Sequence, residues 1–262
     1  MSLNYEEICG YVREIALEAG EFIAREREVF SRSAVDYKEG SHNMVSYVEK
    51  GAETIIVKAL RELLPDSGFI AEEGSASATD EHYKWIIDPL DGTTNFIHGL
   101  PPYCVSIALL EGNELVVGVV YEITLKEMYY AWKGSKAYMN GREIRVSDVT
   151  QMNHALIAVG FSYSAITGSE GYLERVIDYQ RRSNGVRRLG SATADAVYVA
   201  CGRLDAFVQD GLAPWDIAAS ALIIRCAGGV VSDYCGGEDF LFGGEFLATT
   251  PELYDEFLSS VK

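Results

Sequence analysis

The chain has 262 residues, 48% hydrophobic and 23% charged, which excludes a disordered or collagen-like polymer and suffices for one large domain or two sharing a cleft. Its 39 acidic against 22 basic residues give a formal charge of −17, which repels a nucleic-acid backbone or an anionic membrane, so neither is an expected partner. An anionic ligand would then need a local positive centre, most simply divalent cations held by carboxylates; the other reading of the acidity is solubility alone.

Ile8, Val12, Ile15, Ala19, Phe22 and Ile23 recur at helical spacing, as do Val48, Ala52, Ile56, Leu60 and Leu63 before Pro65, so two amphipathic helices open the chain. The Glu and Arg residues between Tyr5 and Arg27 fit neither a secretory signal nor a transit peptide. Between the helices, Asp36 to Ser46 lacks apolar periodicity and reads as a loop or hairpin. Strands are expected at Phe69–Ala71, Tyr83–Ile87, Val105–Leu110, Leu115–Tyr121 and Met128–Trp132. The turn signals Glu111-Gly112-Asn113-Glu114 and Asn140-Gly141 suggest hairpins, and Gly74 to Asp80 reads as a surface loop.

Beyond Thr150 strands and helices alternate: strand Leu156–Phe161, helix Glu170–Arg181, helix Ser191–Cys201, strand Ala206–Gln209, helix Asp216–Ala227 and strand Val230–Ser232. The expected organisation is an N-terminal half, 1–150, with the two helices and an antiparallel sheet, and a C-terminal half, 151–262, with a mixed sheet. The two would meet at a cleft. The longest apolar stretch, Ile217 to Ile224, is too short for a membrane span. Cys9, Cys104, Cys201, Cys226 and Cys235 are widely spaced, with no C-x-x-C pair, which fits a reducing cytoplasm.

The most informative segment is Trp85-Ile86-Ile87-Asp88-Pro89-Leu90-Asp91-Gly92-Thr93-Thr94-Asn95-Phe96. A strand driven inward by its apolar residues delivers two carboxylates at its end, and burying carboxylates is costly unless a cation neutralises them. Pro89 is expected to stop the strand and aim Asp88, Asp91 and the Leu90 carbonyl at one point. Gly92-Thr93-Thr94 then offers close backbone approach, amide hydrogens and two hydroxyls, a setting for an anion. Asp-Pro-x-Asp-Gly alone is also a plain turn; the buried strand before it and the threonines after it favour the site. Glu72-Glu73 forms a second acidic pair at a strand end, and Asp216, after Pro214-Trp215, stands where a helix N-cap is expected and needs no other role there.

The chain resembles the inositol monophosphatase family, which includes the archaeal-type fructose-1,6-bisphosphatases. The resemblance rests on Trp85 to Phe96 with His98 following, and on Trp215-Asp216-Ile217-Ala218-Ala219 through to Gly228-Gly229. Lys38, Glu72-Glu73 and Gly190-Ser191-Ala192 also fall where that family has counterparts. The resemblance implies an α+β fold layered αβαβα, two or three Mg²⁺ ions bound by Glu72, Asp88, the Leu90 carbonyl, Asp91 and Asp216, phosphate contacts from Gly92, Thr93 and Thr94, and a homodimer. It further implies a phosphatase for small sugar or polyol phosphates, with Glu72 and Thr93 orienting or deprotonating a water and Asp91 completing the catalytic set.

Two departures from the family pattern bear on this reading. Asn43-Met44-Val45-Ser46-Tyr47-Val48-Glu49 stands where many relatives have Asp-x-Val-Thr-x-x-Asp, so Glu49 replaces the aspartate that supports the threonine and a third metal, with Lys38 expected nearby. Gln209 stands where inositol-specific relatives have a glutamate for ring hydroxyls. Arg188, in Arg187-Arg188-Leu189-Gly190-Ser191, either meets a second phosphate such as that of fructose 1,6-bisphosphate or is an exposed flanking residue. His98 is expected behind the site or on the surface. Inositol 1-phosphate and fructose 1,6-bisphosphate are the leading substrates; a 3′-phosphoadenosine 5′-phosphate phosphatase and a catalytically inactive phosphate- or partner-binding relative are the alternatives.

Overall fold

The computed structural model describes residues 3–30, 35–37, 44–74, 81–160 and 171–261. Helix α1 (Tyr5–Val29) is capped by Asn4, whose side chain accepts from the Glu7 amide, and buries Ile8, Val12, Ile15, Ala19 and Ile23. Strands β1 (Val35–Tyr37) and β2 (Met44–Ser46) pair as the antiparallel hairpin that was one of the two options for this stretch. Helix α2 (Tyr47–Leu63) follows and lies against α1.

The next strands are β3 (Gly68–Ala71), β4 (Tyr83–Asp91), β5 (Cys104–Glu111), β6 (Glu114–Glu122), β7 (Glu127–Trp132), β8 (Ala137–Met139) and β9 (Arg142–Ile144), with the short helix α3 (Thr93–His98) after β4. Among the described residues they form one seven-stranded sheet in chain order, antiparallel except for the parallel pair β3 and β4. Asn140 and Gly141 both take positive φ, 49° and 81°, as a tight primed turn between β8 and β9 demands. One expectation is corrected here. Pro89 does not end its strand: β4 runs on to Asp91, which pairs with Cys104 after a register shift between Asp88 and Asp91. Such an irregularity accommodates a residue without an N–H and re-aims the carboxylates on either side.

The second half supplies β10 (Leu156–Gly160), α4 (Tyr172–Arg182), β11 (Gly185–Arg187), α5 (Ala192–Ala200), β12 (Ala206–Asp210), α6 (Pro214–Cys226), β13 (Val230–Ser232), α7 (Phe240–Gly243), β14 (Glu245–Thr249) and α8 (Tyr254–Val261). Phe161 and Glu170, the expected ends of β10 and α4, lie outside the described residues. Among the described residues these strands form a mixed five-stranded sheet in the order β11-β10-β12-β14-β13. β11, β14, α7 and α8 are not among the expected elements; β11 and α7 span only three and four residues, whereas Tyr254, Phe257, Leu258 and Val261 of α8 do recur at helical spacing.

Packing gives the αβαβα layers of an α+β sandwich. Helices α1 and α2 cover one face of the large sheet, where Trp85, Ile87 and Phe96 meet Val12, Ile23 and Ile56. Helices α5 and α6 fill the space between the sheets, with Ile217, Ala221 and Val197 between Val120 on one side and Phe207 on the other. This middle layer presses close: a Cβ on Gly118 of β6 would lie 2.6 Å from the Ala219 carbonyl oxygen of α6. Tyr179 and Phe257, from α4 and α8, close the outer face over Val208 and Leu247. No helix among the described residues is long and apolar enough to cross a membrane.

Candidate metal and phosphate site

Strand β4 carries its apolar residues into the core and ends between the large sheet and the middle helices, which is where its carboxylates emerge. Asp88 is 1% exposed, and its Oδ1 accepts the Leu90 amide at 2.9 Å, folding the side chain over the irregularity beside Pro89. Asp91 is held from the other half of the chain: its Oδ2 accepts the Ser191 hydroxyl at 2.6 Å and the Thr193 amide at 2.7 Å. Asp216 lies in the first turn of α6. It is not the N-cap expected from sequence: Ala213 is, Pro214 opens the helix, and Asp216 Oδ2 reaches back to accept the Ala213 amide at 2.7 Å.

Each of Asp88, Asp91 and Asp216 offers a carboxylate oxygen within 4.8 Å of the other two. Glu72 lies near them because β3 runs beside β4: its amide donates to the Ile87 carbonyl at 3.2 Å, and its carboxyl is close enough to Asp88 that each shifts the other's acidity. The crowding is written in the acidities. Glu72 is exposed as a residue, yet the protein atoms crowded around its carboxyl, reinforced by the charges of Glu49, Asp216 and Asp91, push it up to about 8. Burial and the charge of Asp91 push Asp216 up to about 7. Burial raises Asp88 well above the ordinary carboxylate range, with Glu72, Asp91 and Asp216 adding to it. Asp91 is raised by burial too, and its bonds from Ser191 and Thr193 offset part of the rise. Four acidic groups so placed take up protons or a cation, and a set of hard oxygen donors is the chemistry of a site for Mg²⁺ or a similar ion.

Directly after Asp91 the chain turns through Gly92, whose φ of 93° lies in the left-handed region. The next hydroxyl, that of Thr93, lies 2.5 Å from Glu49 Oε1 and 3.1 Å from the Leu90 carbonyl oxygen. Glu49, in the first turn of α2, is 2% exposed, so the longer acid that replaces the usual aspartate reaches the threonine. One turn along α2, the buried Glu53 accepts the Glu73 amide at 2.8 Å and secures the chain beside Glu72. Thr94 is exposed at the same turn.

The remaining predicted residues are placed as follows. Gln209 lies in β12 opposite Gly160 of β10, its side chain folded into the space that a side chain at residue 160 would take. Arg188 is exposed, and its charge acts on Tyr172 and Asp195. His98 is exposed at the end of α3. Lys38 and Asn43 lie outside the described residues. Sequence reasoning assigned no role to Thr193, Glu53 or the Ser191 hydroxyl. Thr193 acts through its amide, which leaves no mark in sequence; Glu53 is a plain helical acid on paper; and Ser191 showed as a helix start within Gly190-Ser191-Ala192, a segment with family counterparts, without a role for its hydroxyl.

The family model described as the inositol monophosphatase family matches residues 4–262. The inositol-1-monophosphatase of Mesorhizobium japonicum is 39% identical over 250 residues, covering 95% of this chain and 94% of that protein. The Nus factor SuhB of Escherichia coli strain K12 is 38% identical over 248 residues, 94% of this chain and 92% of its own. Among solved structures, the extragenic suppressor protein suhB of Bartonella henselae superposes with a TM-score of 0.91 at 34% identity, covering 98% of both chains. An inositol monophosphatase of Anabaena superposes at 0.88 with 31% identity, covering 99% of this chain and 96% of its own. On its sequence and on its fold alike, the chain belongs to the inositol monophosphatase family.

Proposed function

We propose that this protein is a Mg²⁺-dependent phosphatase for phosphate monoesters of small sugars or polyols. The observation that carries the reading is the convergence of Asp88, Asp91 and Asp216 on one point, with Glu72 beside them and the Gly92-Thr93-Thr94 turn flush against them. Glu72, Asp88, the Leu90 carbonyl, Asp91 and Asp216 would hold two or three ions. When bound, Mg²⁺ supplies Lewis acidity toward the phosphate and a lowered pKa for an attacking water.

The protein's own groups do the positioning. The Gly92, Thr93 and Thr94 turn is assigned the phosphate oxygens, and the missing side chain at residue 92 lets the turn pack against Pro102 and Ser191, where a Cβ would lie 2.9 Å from the Pro102 carbonyl oxygen. Thr93 passes its hydroxyl proton toward the Glu49 carboxylate, which leaves its oxygen free to take a proton from water, while Glu72 fixes that water from the other side. Asp216 and Asp91 are assigned to the leaving side, where the ester oxygen would take up a proton from solvent water as its bond to phosphorus breaks, and Gln209 and Arg188 are assigned to the sugar or polyol. A homodimer is inferred from family resemblance, and a cytoplasmic location from free cysteines that include the exposed Cys235.

The test is phosphate release from myo-inositol 1-phosphate, fructose 1,6-bisphosphate and 3′-phosphoadenosine 5′-phosphate, each with Mg²⁺ and with EDTA. Magnesium-dependent release from either of the first two supports the reading and ranks them. A second reading, a binding factor with or without hydrolysis, is kept by the relatives that carry the name Nus factor SuhB and match 94% of this chain. The charge of −17 argues against a nucleic-acid partner for such a factor. Silence on every ester together with retained binding of a protein partner supports the factor reading.

A further inference from the structure

We infer that Asn95 is a positioning residue, which clamps together the two chain segments framing the Gly92 turn and, through Leu189, sets the Ser191 hydroxyl against Asp91. The inference rests on the metal-phosphatase reading of the site. Asn95 sits in α3, in the same turn as the threonines, but its chemistry is spent elsewhere. Its Nδ2 donates to the Pro102 carbonyl at 2.8 Å and to the Leu189 carbonyl at 2.8 Å. Both side-chain amide hydrogens are thereby used, so the Asn95 side chain has no donor left for a phosphate.

The two segments it grips are those that wall in Gly92. A Cβ on Gly92 would lie 2.9 Å from the Pro102 carbonyl oxygen and 3.2 Å from the Ser191 Cβ. Between Leu189 and Ser191 the chain passes over the Asn95 amide in a left-handed conformation: Gly190 has φ +91°, and a Cβ there would lie 2.8 Å from Asn95 Oδ1. One residue further on, Ser191 caps α5, accepting the Ala194 amide at 3.1 Å while donating to Asp91 at 2.6 Å. Asp91 therefore takes its orientation from a loop of the other half of the chain, and that loop takes its position from Asn95. Removing a group behind a metal ligand lets the ligand turn, at a cost of roughly 10- to 100-fold in metal affinity or activity.

The experiment compares Asn95→Ala, Ser191→Ala and the double variant in the full chain. Calorimetric titration with MgCl₂ alone gives metal affinity, assays with the ester that the wild type hydrolyses give kcat and KM, and thermal melts check the fold. Asn95→Ala is expected to weaken Mg²⁺ binding and lower kcat by roughly 10- to 100-fold while KM moves less than about threefold. In the Ser191→Ala background the same change is expected to cost less than about threefold more, because the two residues act in series. Fully additive losses, or a lowered melting temperature with unchanged Mg²⁺ affinity and kcat, overturn the inference. Should Asn95→Ala fail to fold, Asn95→Ser, which keeps one donor, takes its place under the same criteria. If the wild type hydrolyses no ester, the phosphatase reading falls, and the Mg²⁺ affinities of the same variants still decide the role of Asn95.

Discussion

The Thr93 hydroxyl lies 2.5 Å from a carboxylate oxygen of Glu49, a contact that ties the turn after β4 to the first turn of α2. Glutamate is longer than the aspartate common among relatives, yet it meets the hydroxyl, so the proton path assigned to this pair survives the substitution. Glu49→Gln keeps an acceptor oxygen and removes the capacity to take a proton. It is expected to lower kcat by about 10- to 100-fold with little change in KM. Steady-state kinetics decide: an unchanged kcat would leave Glu49 with a structural role only.

Asp91 touches Ser191 and Thr193 and shares the cluster with Asp88 and Asp216. Asp91→Asn keeps the shape and an acceptor for those two donors while removing one negative charge from a crowded group. Turnover is expected to vanish, and the metal-free protein is expected to melt no lower than the wild type, since one source of repulsion has gone. Wild-type turnover in this variant would remove Asp91 from the site.

Much of the site was legible because its carboxylates sit at strand and helix ends next to apolar runs. Trp85-Ile86-Ile87 reads as a buried strand, and a buried strand ending in Asp88 and Asp91 calls for compensation. The layered fold followed from resemblance, and the packing of Ile217 and Ala221 between the sheets agrees with it. What stayed hidden depends on three-dimensional detail. Pro89 lies inside a strand because the pairing shifts register there. Asp216 sits inside its helix because Pro214 opens it. The bond from Thr193 to Asp91 is made by a backbone amide that every residue type possesses.

The raised acidities predict how stability responds to pH when no metal is bound. Glu72 and Asp216 are pushed up to about 8 and about 7, from ordinary values of 4.5 and 3.8. Between those limits the folded protein binds more protons than the unfolded chain, so this contribution to stability is full below about pH 4 and is lost as pH rises through about 7 to 8. Melting temperatures in EDTA are expected to fall over that rise, and the stabilisation produced by Mg²⁺ is expected to grow over the same range as the carboxylates lose their protons. A Mg²⁺-induced shift in melting temperature that stays constant from about pH 5 to pH 8.5 would contradict the assignment of these acids to the metal.

Gln209 is the residue at which the proposed substrate preference can be tested. Its side chain lies against Gly160 at the ends of β12 and β10, where an uncharged amide both donates to and accepts from hydroxyls. Gln209→Glu adds a charge of the kind that inositol-specific relatives carry at this position. It is expected to leave kcat/KM for myo-inositol 1-phosphate within about threefold of wild type or above it, and to lower that for fructose 1,6-bisphosphate by roughly tenfold, because a carboxylate beside a second phosphate repels it. The discriminating quantity is the ratio of the two kcat/KM values measured under one set of conditions. A ratio that does not move would place Gln209 away from the substrate and shift the search for selectivity to Arg188.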